Sequence, residues 1–234
     1  MSTPTLTLHY NYDPLCGWCY GASPLVRAAR DTVRVQAHGG GMMAGAARRT
    51  VTPELRQFVM THDRRIAQAS GQPFGQGYFE GLLRDHGAVL DSAPPITAVL
   101  AADELAGAGL DMLARLQHAH YVEGRRIAEV AVLRELAAEV GLGVDDFGSA
   151  YERLQGAATQ AHIEQSRALL ARICGHGFPT FALELDGQFT TVDISPYLGQ
   201  PDAWRTWLTQ QVGGATGAAT GDTPLSCGLD GCAP

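Results

Sequence analysis

Residues 13–21 have the sequence DPLCGWCYG, in which two cysteines lie three positions apart. Before this stretch, apolar and polar residues alternate from position 6 to position 12, which is the period typical of a β-strand. After it, positions 20–30 show helical spacing, and TVRVQAHGGG (32–41) indicates a second strand that ends in glycines. The order predicts a β-α-β unit with parallel strands, and the cysteine pair lies at its first strand-to-helix junction.

Cys16 and Cys19 can be half of a metal site, a structural crosslink or a reactive dithiol. A structural zinc site needs a second Cys or His pair at comparable spacing, and the other close pair, Cys227 and Cys232, has the wrong spacing for a common zinc finger. We therefore expect no metal site. The N-terminus lacks the pattern of a signal peptide, so we expect a cytoplasmic protein. In a reducing compartment a close pair is more often catalytic than a permanent crosslink.

The position of Cys16 at the predicted start of a helix favours the reactive dithiol. Free backbone N–H groups and the helix dipole stabilise a thiolate there, and the thiolate is the attacking form of a thiol. Cys19 follows one turn later, close enough to resolve a mixed disulfide. Asp13 is a candidate proton relay or, alternatively, a cap of the turn. Trp18 either shields the pair and offers an apolar contact surface or simply packs in the core.

The middle of the chain is predicted to be helical. Thr52 and Pro53 are typical of a helix start, with a capping hydroxyl followed by proline at the first helical position. Gly71 is the predicted end of that helix. Because strand patterns are almost absent from about position 50 to position 174, we interpret this region as a helical block inserted into an α/β domain.

β-structure returns in GFPTFALELDGQFTTV (177–192), where Asp186-Gly187 joins two alternating segments as a hairpin turn. Pro179 stands at the start of the first segment, between Phe178 and Thr180, and proline is tolerated at a strand start. A β-α-β unit with a CxxC pair, then an interruption, then proline, strand, hairpin and helix is the thioredoxin plan.

The predicted organisation therefore has three parts. Residues 1–50 and 175–212 form a thioredoxin-like domain, and residues 51–174 form an inserted helical domain. Alternatively, the last helix of residues 51–174 belongs to the thioredoxin-like domain. Residues 213–234 form a flexible tail with the second cysteine pair. Cys227 and Cys232 are a candidate secondary redox pair, because tethering raises their effective concentration near the first pair. The alternative is a chain end whose cysteines oxidise incidentally.

YDPLCGWCYG together with GFPTF resembles the DsbA-like branch of the thioredoxin superfamily, and specifically its FrnE-type subgroup. The resemblance covers roughly residues 5–212. It implies an α/β thioredoxin-like fold, with a central mixed sheet, flanking helices and an inserted all-helical domain. It also implies thiol–disulfide oxidoreductase or protein disulfide isomerase activity.

The resemblance further assigns roles to residues of the two motifs. Cys16 would be the attacking thiol, Cys19 the resolving thiol, and Pro179 a cis-proline that faces them. The backbone of Phe178 would pair with a substrate peptide as an added strand, and Thr180 would help to orient it. Gly17-Trp18 matches neither typical thioredoxins nor strongly oxidising relatives, so the direction of electron flow stays open.

Two other functions are compatible with the pattern. One is a glutathione-dependent isomerase or transferase, or a small-molecule tailoring enzyme, of the same fold. Enzymes of that kind resemble this chain, but they have a serine or a single reactive residue where this sequence has two cysteines. The intact pair therefore favours dithiol exchange. The other is a redox-inactive binding or chaperone module.

The composition limits the classes of partner that the protein is expected to bind. All 17 basic residues among the 234 are arginine, the formal charge is −7, and no basic stripe indicates nucleic-acid binding. No apolar run is long enough to predict a membrane span. We expect no cofactor. The expected partners are client proteins with disulfides or thiols, with glutathione or a thioredoxin-type protein as candidate electron partners, and the expected assembly is a monomer or homodimer.

Overall fold

A computed structural model describes residues 6–217. Its main sheet has four strands in the order β2-β1-β5-β6, with β1 parallel to β2 and antiparallel to β5, and β5 antiparallel to β6. This is the central mixed sheet that the resemblance to the DsbA-like branch implies. The strands are β1 (Thr7–Tyr12), β2 (Arg34–Gly39), β3 (Arg49–Thr50), β4 (Val89–Leu90), β5 (Thr180–Leu185) and β6 (Gln188–Val192).

Helices surround this sheet and make up most of the middle of the chain. They are α1 (Gly17–Gly21), α2 (Ser23–Arg30), α3 (Pro53–Ser70), α4 (Ala93–Ala106), α5 (Gly109–His118), α6 (Val130–Glu139), α7 (Val144–Leu154), α8 (Ala157–Arg172) and α9 (Pro201–Gly217). One-turn π-helical segments occur at Gly77–Gly81 and Ala119–Glu123. None of the helices within residues 6–217 combines the length and the apolar character that a bilayer span needs.

The alternation in β1 places its apolar side chains on one buried face. Tyr10 stacks on Phe181 of β5 with ring centroids 4.8 Å apart, and Phe181 contacts Trp204 of α9 edge-on at 6.1 Å. The hairpin between β5 and β6 turns at Asp186 and Gly187, which both have positive φ, as a two-residue turn of this kind requires. The predicted hairpin is confirmed.

The predicted boundaries of α3 are also confirmed. The Thr52 side chain accepts a hydrogen bond from the backbone N–H of Leu55 at 3.2 Å, and Pro53 is the first helical residue. Gly71 ends the helix with φ +72°. The sequence does not predict the short antiparallel ladder between β3 and β4, because the strand pattern there is weak. In this ladder Arg49 pairs with Leu90 and Thr50 pairs with Val89.

The region from α3 to α8 packs directly on the elements that carry the dithiol. α3 lies against α1, where the side chain of Ile66 contacts the Cα positions of Gly17 and Gly21. α8 lies against β2, and His162 of α8 accepts a hydrogen bond from the backbone N–H of Gly39 at 3.1 Å. The helices of this region therefore form part of the walls around the cysteine pair.

Candidate active site

The dithiol lies where β1 gives way to α1. Cys16 is the N-cap residue of α1, with an extended backbone, and its carbonyl accepts the N–H of Tyr20. Cys16 and Cys19 are the free cysteines of the described chain. Cys16 is 7% exposed and Cys19 is 0% exposed, so the first thiol is the one that a substrate can approach.

Phe178 and Pro179 face this pair from the start of β5. The Phe178–Pro179 peptide bond is cis, and the Cys16 thiol donates to the carbonyl oxygen of Phe178 at 3.2 Å. Thr180, the first residue of β5, donates from its hydroxyl to the Gly177 carbonyl at 2.7 Å. The fold thus brings the two sequence motifs into contact across 162 positions of the chain.

Cys19 is held beneath Cys16. The backbone N–H of Asp13 points at its sulfur at 3.5 Å, and the Tyr10 hydroxyl donates to its carbonyl oxygen at 3.3 Å. Burial raises the pKa of the Cys19 thiol well above its ordinary value, and the hydrogen bond with Cys16 raises it further. Cys19 is therefore held as a protonated thiol at neutral pH in the reduced protein.

The Asp13 carboxylate is buried and accepts hydrogen bonds from three donors. These are the Leu15 N–H at 2.9 Å, the Ser92 hydroxyl at 2.9 Å and the Met42 N–H at 2.5 Å. The bond to Leu15, two residues on, is the turn cap that the sequence offers as one of its two alternatives for Asp13. Burial raises the pKa of Asp13 to about 6, against the lowering effect of the donors.

Trp18 is partly exposed and packs against the buried core beside the dithiol. The part that stays exposed is available to a bound molecule, while the rest is ordinary packing. Both alternatives for Trp18 are thus compatible with its position.

A second buried carboxylate, from α3, lies beside the dithiol. A Cβ atom on Gly17 would lie 2.6 Å from the Oδ1 of Asp63, so this carboxylate abuts the backbone between the two cysteines. Its Oδ2 accepts the hydroxyl of Tyr78 at 2.9 Å. Burial raises the pKa of Asp63 to about 6, and the bond from Tyr78 opposes that shift.

Three site residues have no signal in the sequence: Asp63, Ser92 and Arg167 of α8, whose guanidinium bonds to the carbonyls of Gly40 and Gly41. Each is a common polar residue in a helical region, and only the packing of that region brings it to the site. Cys227 and Cys232 lie outside the described residues. Within residues 6–217, no group of three or more His, Cys, Asp or Glu side chains is arranged to hold a metal ion.

The fold and sequence have clear relatives among solved structures. The cytosolic disulfide reductase DsbM from Pseudomonas aeruginosa is 58% identical, with a TM-score of 0.84, over 88% of this chain and 98% of that chain. A second structure of DsbM, with GSH, is 56% identical, with a TM-score of 0.82, over the same shares of the two chains.

A putative protein disulfide isomerase from Nitrosomonas europaea shares the fold at 22% identity and a TM-score of 0.72, over 88% of this chain and 97% of that chain. No protein-family model and no curated protein matches the chain. The predicted thioredoxin-like fold is confirmed, while the FrnE-type subgroup stays a prediction. At the level of identity it has with DsbM, the chain belongs to the DsbA-like family of thioredoxin-fold thiol–disulfide oxidoreductases.

Proposed function

We propose that this oxidoreductase works as a disulfide reductase, with Cys16 as the attacking thiol, Cys19 as the resolving thiol and glutathione as the electron donor. The observation that carries the proposal is the asymmetry of the pair: Cys16 is the more exposed thiol and contacts Phe178, whereas Cys19 is fully buried. The direction and the donor are proposed by similarity to DsbM, a cytosolic disulfide reductase that has also been solved with GSH. A cytoplasmic location is proposed on the same ground.

In the first step the Cys16 thiolate attacks one sulfur of a client disulfide. A Cys16–client disulfide forms, the client S–S bond breaks, and the second client sulfur leaves as a thiolate that takes up a proton. Cys19, after losing its proton, then attacks the Cys16 sulfur. The second client thiol is released, and a Cys16–Cys19 disulfide remains, so two electrons have passed to the client.

Two molecules of glutathione restore the dithiol. The thiolate of the first attacks the Cys16–Cys19 disulfide and forms a mixed disulfide, which leaves one protein thiol. The thiolate of the second attacks the glutathione sulfur of that mixed disulfide and releases oxidised glutathione. The cycle balances without a bound cofactor.

The residues around the dithiol have supporting roles in this proposal. The Phe178 carbonyl, which accepts the Cys16 thiol in the free protein, is available to a client strand once Cys16 is bonded to the client. Thr180 fixes the loop before β5 through its bond to Gly177. Asp13 holds Cys19 through its N–H and caps the turn that carries the pair. Trp18 offers the client an apolar contact beside the cysteines.

The test is glutathione-driven reduction of a protein disulfide such as those of insulin. We expect Cys16→Ser to give no more turnover than buffer. Cys19→Ser should accumulate a mixed disulfide on Cys16 that mass spectrometry detects. Turnover by Cys16→Ser equal to the wild type, or client attachment to Cys19, would overturn the assignment.

The direction is tested by the redox equilibrium of Cys16 and Cys19 against a glutathione series. A reductase should have a potential near that of thioredoxin, about −270 mV. A potential near about −120 mV, as in strongly oxidising relatives, would contradict the reductase direction and leave the oxidoreductase chemistry intact.

A further inference from the structure

One loop contacts both sides of the dithiol: residues 39–43, GGGMM, called here the glycine loop. On the side of β1, the N–H of Gly40 donates to the Tyr12 carbonyl at 2.8 Å, and the N–H of Met42 donates to the Asp13 carboxylate at 2.5 Å. The N–H of Met43 donates to Ser92, which itself donates to Asp13. The glycine loop is therefore bonded to the turn that immediately precedes the cysteines.

On its other side the glycine loop carries the ring of Phe178. A Cβ atom on Gly40 would lie 2.0 Å from the Cζ and 2.3 Å from the Cε1 of that ring, so the ring lies directly on the Gly40 backbone. The carbonyl of the same phenylalanine is 3.2 Å from the Cys16 sulfur. A displacement of Gly40 is therefore transmitted to the group that faces the attacking thiol.

Arg167 of α8 fixes this loop. Its Nε donates to the Gly40 carbonyl and its Nη2 donates to the Gly41 carbonyl, both at 2.7 Å. A planar guanidinium that makes two parallel bonds fixes both the distance and the orientation of its partner. Arg167 is itself exposed, so its loss removes the two bonds without opening a cavity in the core.

We propose that Arg167 is a positioning residue for disulfide exchange, which holds the glycine loop so that Phe178 stays over Cys16 and Asp13 stays behind Cys19. The inference rests on the proposed function, because it assigns the Phe178 backbone to the bound client. It gives the helical region a part in the reaction, since α8 supplies the clamp and the junction of β1 with α1 supplies the thiols.

The test compares Arg167→Met and Arg167→Lys with the wild type on two substrates. One is a peptide with a single disulfide, which pairs along the Phe178 backbone, and the other is hydroxyethyl disulfide, which is too small to do so. We expect Arg167→Met to lower kcat/KM for the peptide by about 10- to 100-fold, as misplacement by about 1 Å does in other sites. The small disulfide should lose less than about threefold.

Arg167→Lys should fall between the wild type and Arg167→Met, because an ammonium keeps the charge without the planar fork. Arg172→Met is the matched control, since Arg172 lies on the same helix with its guanidinium over the Phe189 ring, 4.3 Å from the centroid. It should leave both rates unchanged. Equal losses on both substrates, or no loss on either, would overturn the positioning role.

Hydrogen exchange separates this inference from the proposed function, because it requires no turnover. In Arg167→Met we expect faster amide exchange in residues 39–43 and 177–180 and unchanged exchange within α8. Unchanged exchange in the glycine loop would overturn the inference even if the wild type is an active reductase. Faster exchange there with no wild-type turnover would overturn the proposed function alone.

Discussion

Gly40 lies under the ring of Phe178, and no other residue fits there without moving that ring. We expect Gly40→Ala to displace Phe178 from Cys16 and to lower kcat/KM for a peptide disulfide at least about 10-fold, for the geometric reason that small misplacements near reacting atoms are costly. The rate is measured by glutathione-driven reduction of the peptide.

Gly177→Ala is the matched control for this substitution. Gly177 is the neighbour of Phe178, yet a Cβ atom there would meet no atom within 4 Å. It should keep at least about half of the wild-type rate, because it adds a methyl group in open space. Equal losses in the two variants would mean that any added side chain in these loops is harmful, and the specific contact of Gly40 with Phe178 would not explain the result.

The residues of the site differ in how far the sequence reveals them. Cys16 and Cys19 are found by their spacing and by the strand before them, and Pro179 by its place at the start of a strand; all of these signals are local. Asp63 and Arg167 come from helices far along the chain, where nothing in the sequence distinguishes them from the other acidic residues and arginines. Packing between helices and sheet brings Asp63 against Gly17 and Arg167 onto the glycine loop, and local patterns carry no information about that packing.

At the scale of the helix, α3 places its Asp63 carboxylate against the backbone of Gly17. The pKa of Asp63 is raised by burial to about 6, above the value of a carboxyl in an unfolded chain, so the folded protein binds this proton more tightly. The resulting stability is fully present below pH about 4 and is lost as the pH rises through about 6.

Asp63→Asn should therefore stabilise the protein at pH 7.5, by about 1–2 kcal/mol, since an amide carries no charge and its oxygen still accepts the Tyr78 hydroxyl. The advantage should fall to about half at pH 5, where the folded wild type is mostly protonated but an unfolded Asp63 is ionised, and it should vanish only below about pH 4. Urea unfolding at the two pH values measures both. Glu54→Gln, in the exposed first turn of the same helix, is the control and should show no such gain at pH 7.5. A stability difference that does not depend on pH would contradict the burial of an ionised Asp63.

The same helix provides a test of its cap. Thr52→Ala removes the hydroxyl that accepts the N–H of Leu55 and should destabilise the protein by about 1 kcal/mol. Thr61→Ala removes a hydroxyl that bonds back to the Gln57 carbonyl inside the exposed part of α3, and it should change stability by less than about 0.5 kcal/mol. Urea midpoints of the two variants give the comparison. Equal effects would show that the cap contributes nothing beyond helix propensity.

At the scale of the whole molecule, the strands of the sheet could be predicted, but the way in which helices enclose the sheet and the dithiol could not. Strand alternation has a sharp period and Asp186-Gly187 is a strong turn signal, so the strands and the hairpin follow from the sequence, while the mixed sheet is what the family resemblance implies. The enclosure depends on which faces of α3, α8 and α9 meet the sheet and the dithiol. Those contacts join residues more than 40 positions apart, such as Gly17 with Asp63 and Leu25 with Trp204. They are decided by the fit of whole surfaces.

Trp204 of α9 tests how much the last helix contributes to this enclosure. Its indole N–H donates to the carbonyl of Leu25, in the first turn of α2, at 3.0 Å, and its ring is fully buried against Phe181 and Tyr197. Trp204→Phe keeps an aromatic ring but removes the indole donor to that carbonyl and leaves a void beside it. We expect a loss of about 2–3 kcal/mol, or a fall in Tm of about 5–10 °C for a chain of this length.

Trp207→Phe is the matched control for Trp204→Phe, because Trp207 stacks on Trp204 at 5.1 Å but is only half-buried. It should cost less than about 1 kcal/mol, since it leaves the bond to Leu25 in place. Calorimetry of the two variants measures the difference. If both variants melt at the same temperature, α9 is stabilised by the stacking of its two indole rings and not by the bond to Leu25. If Trp204→Phe alone melts early, the buried bond to Leu25 is what attaches the C-terminal helix to α2, the helix that follows the dithiol.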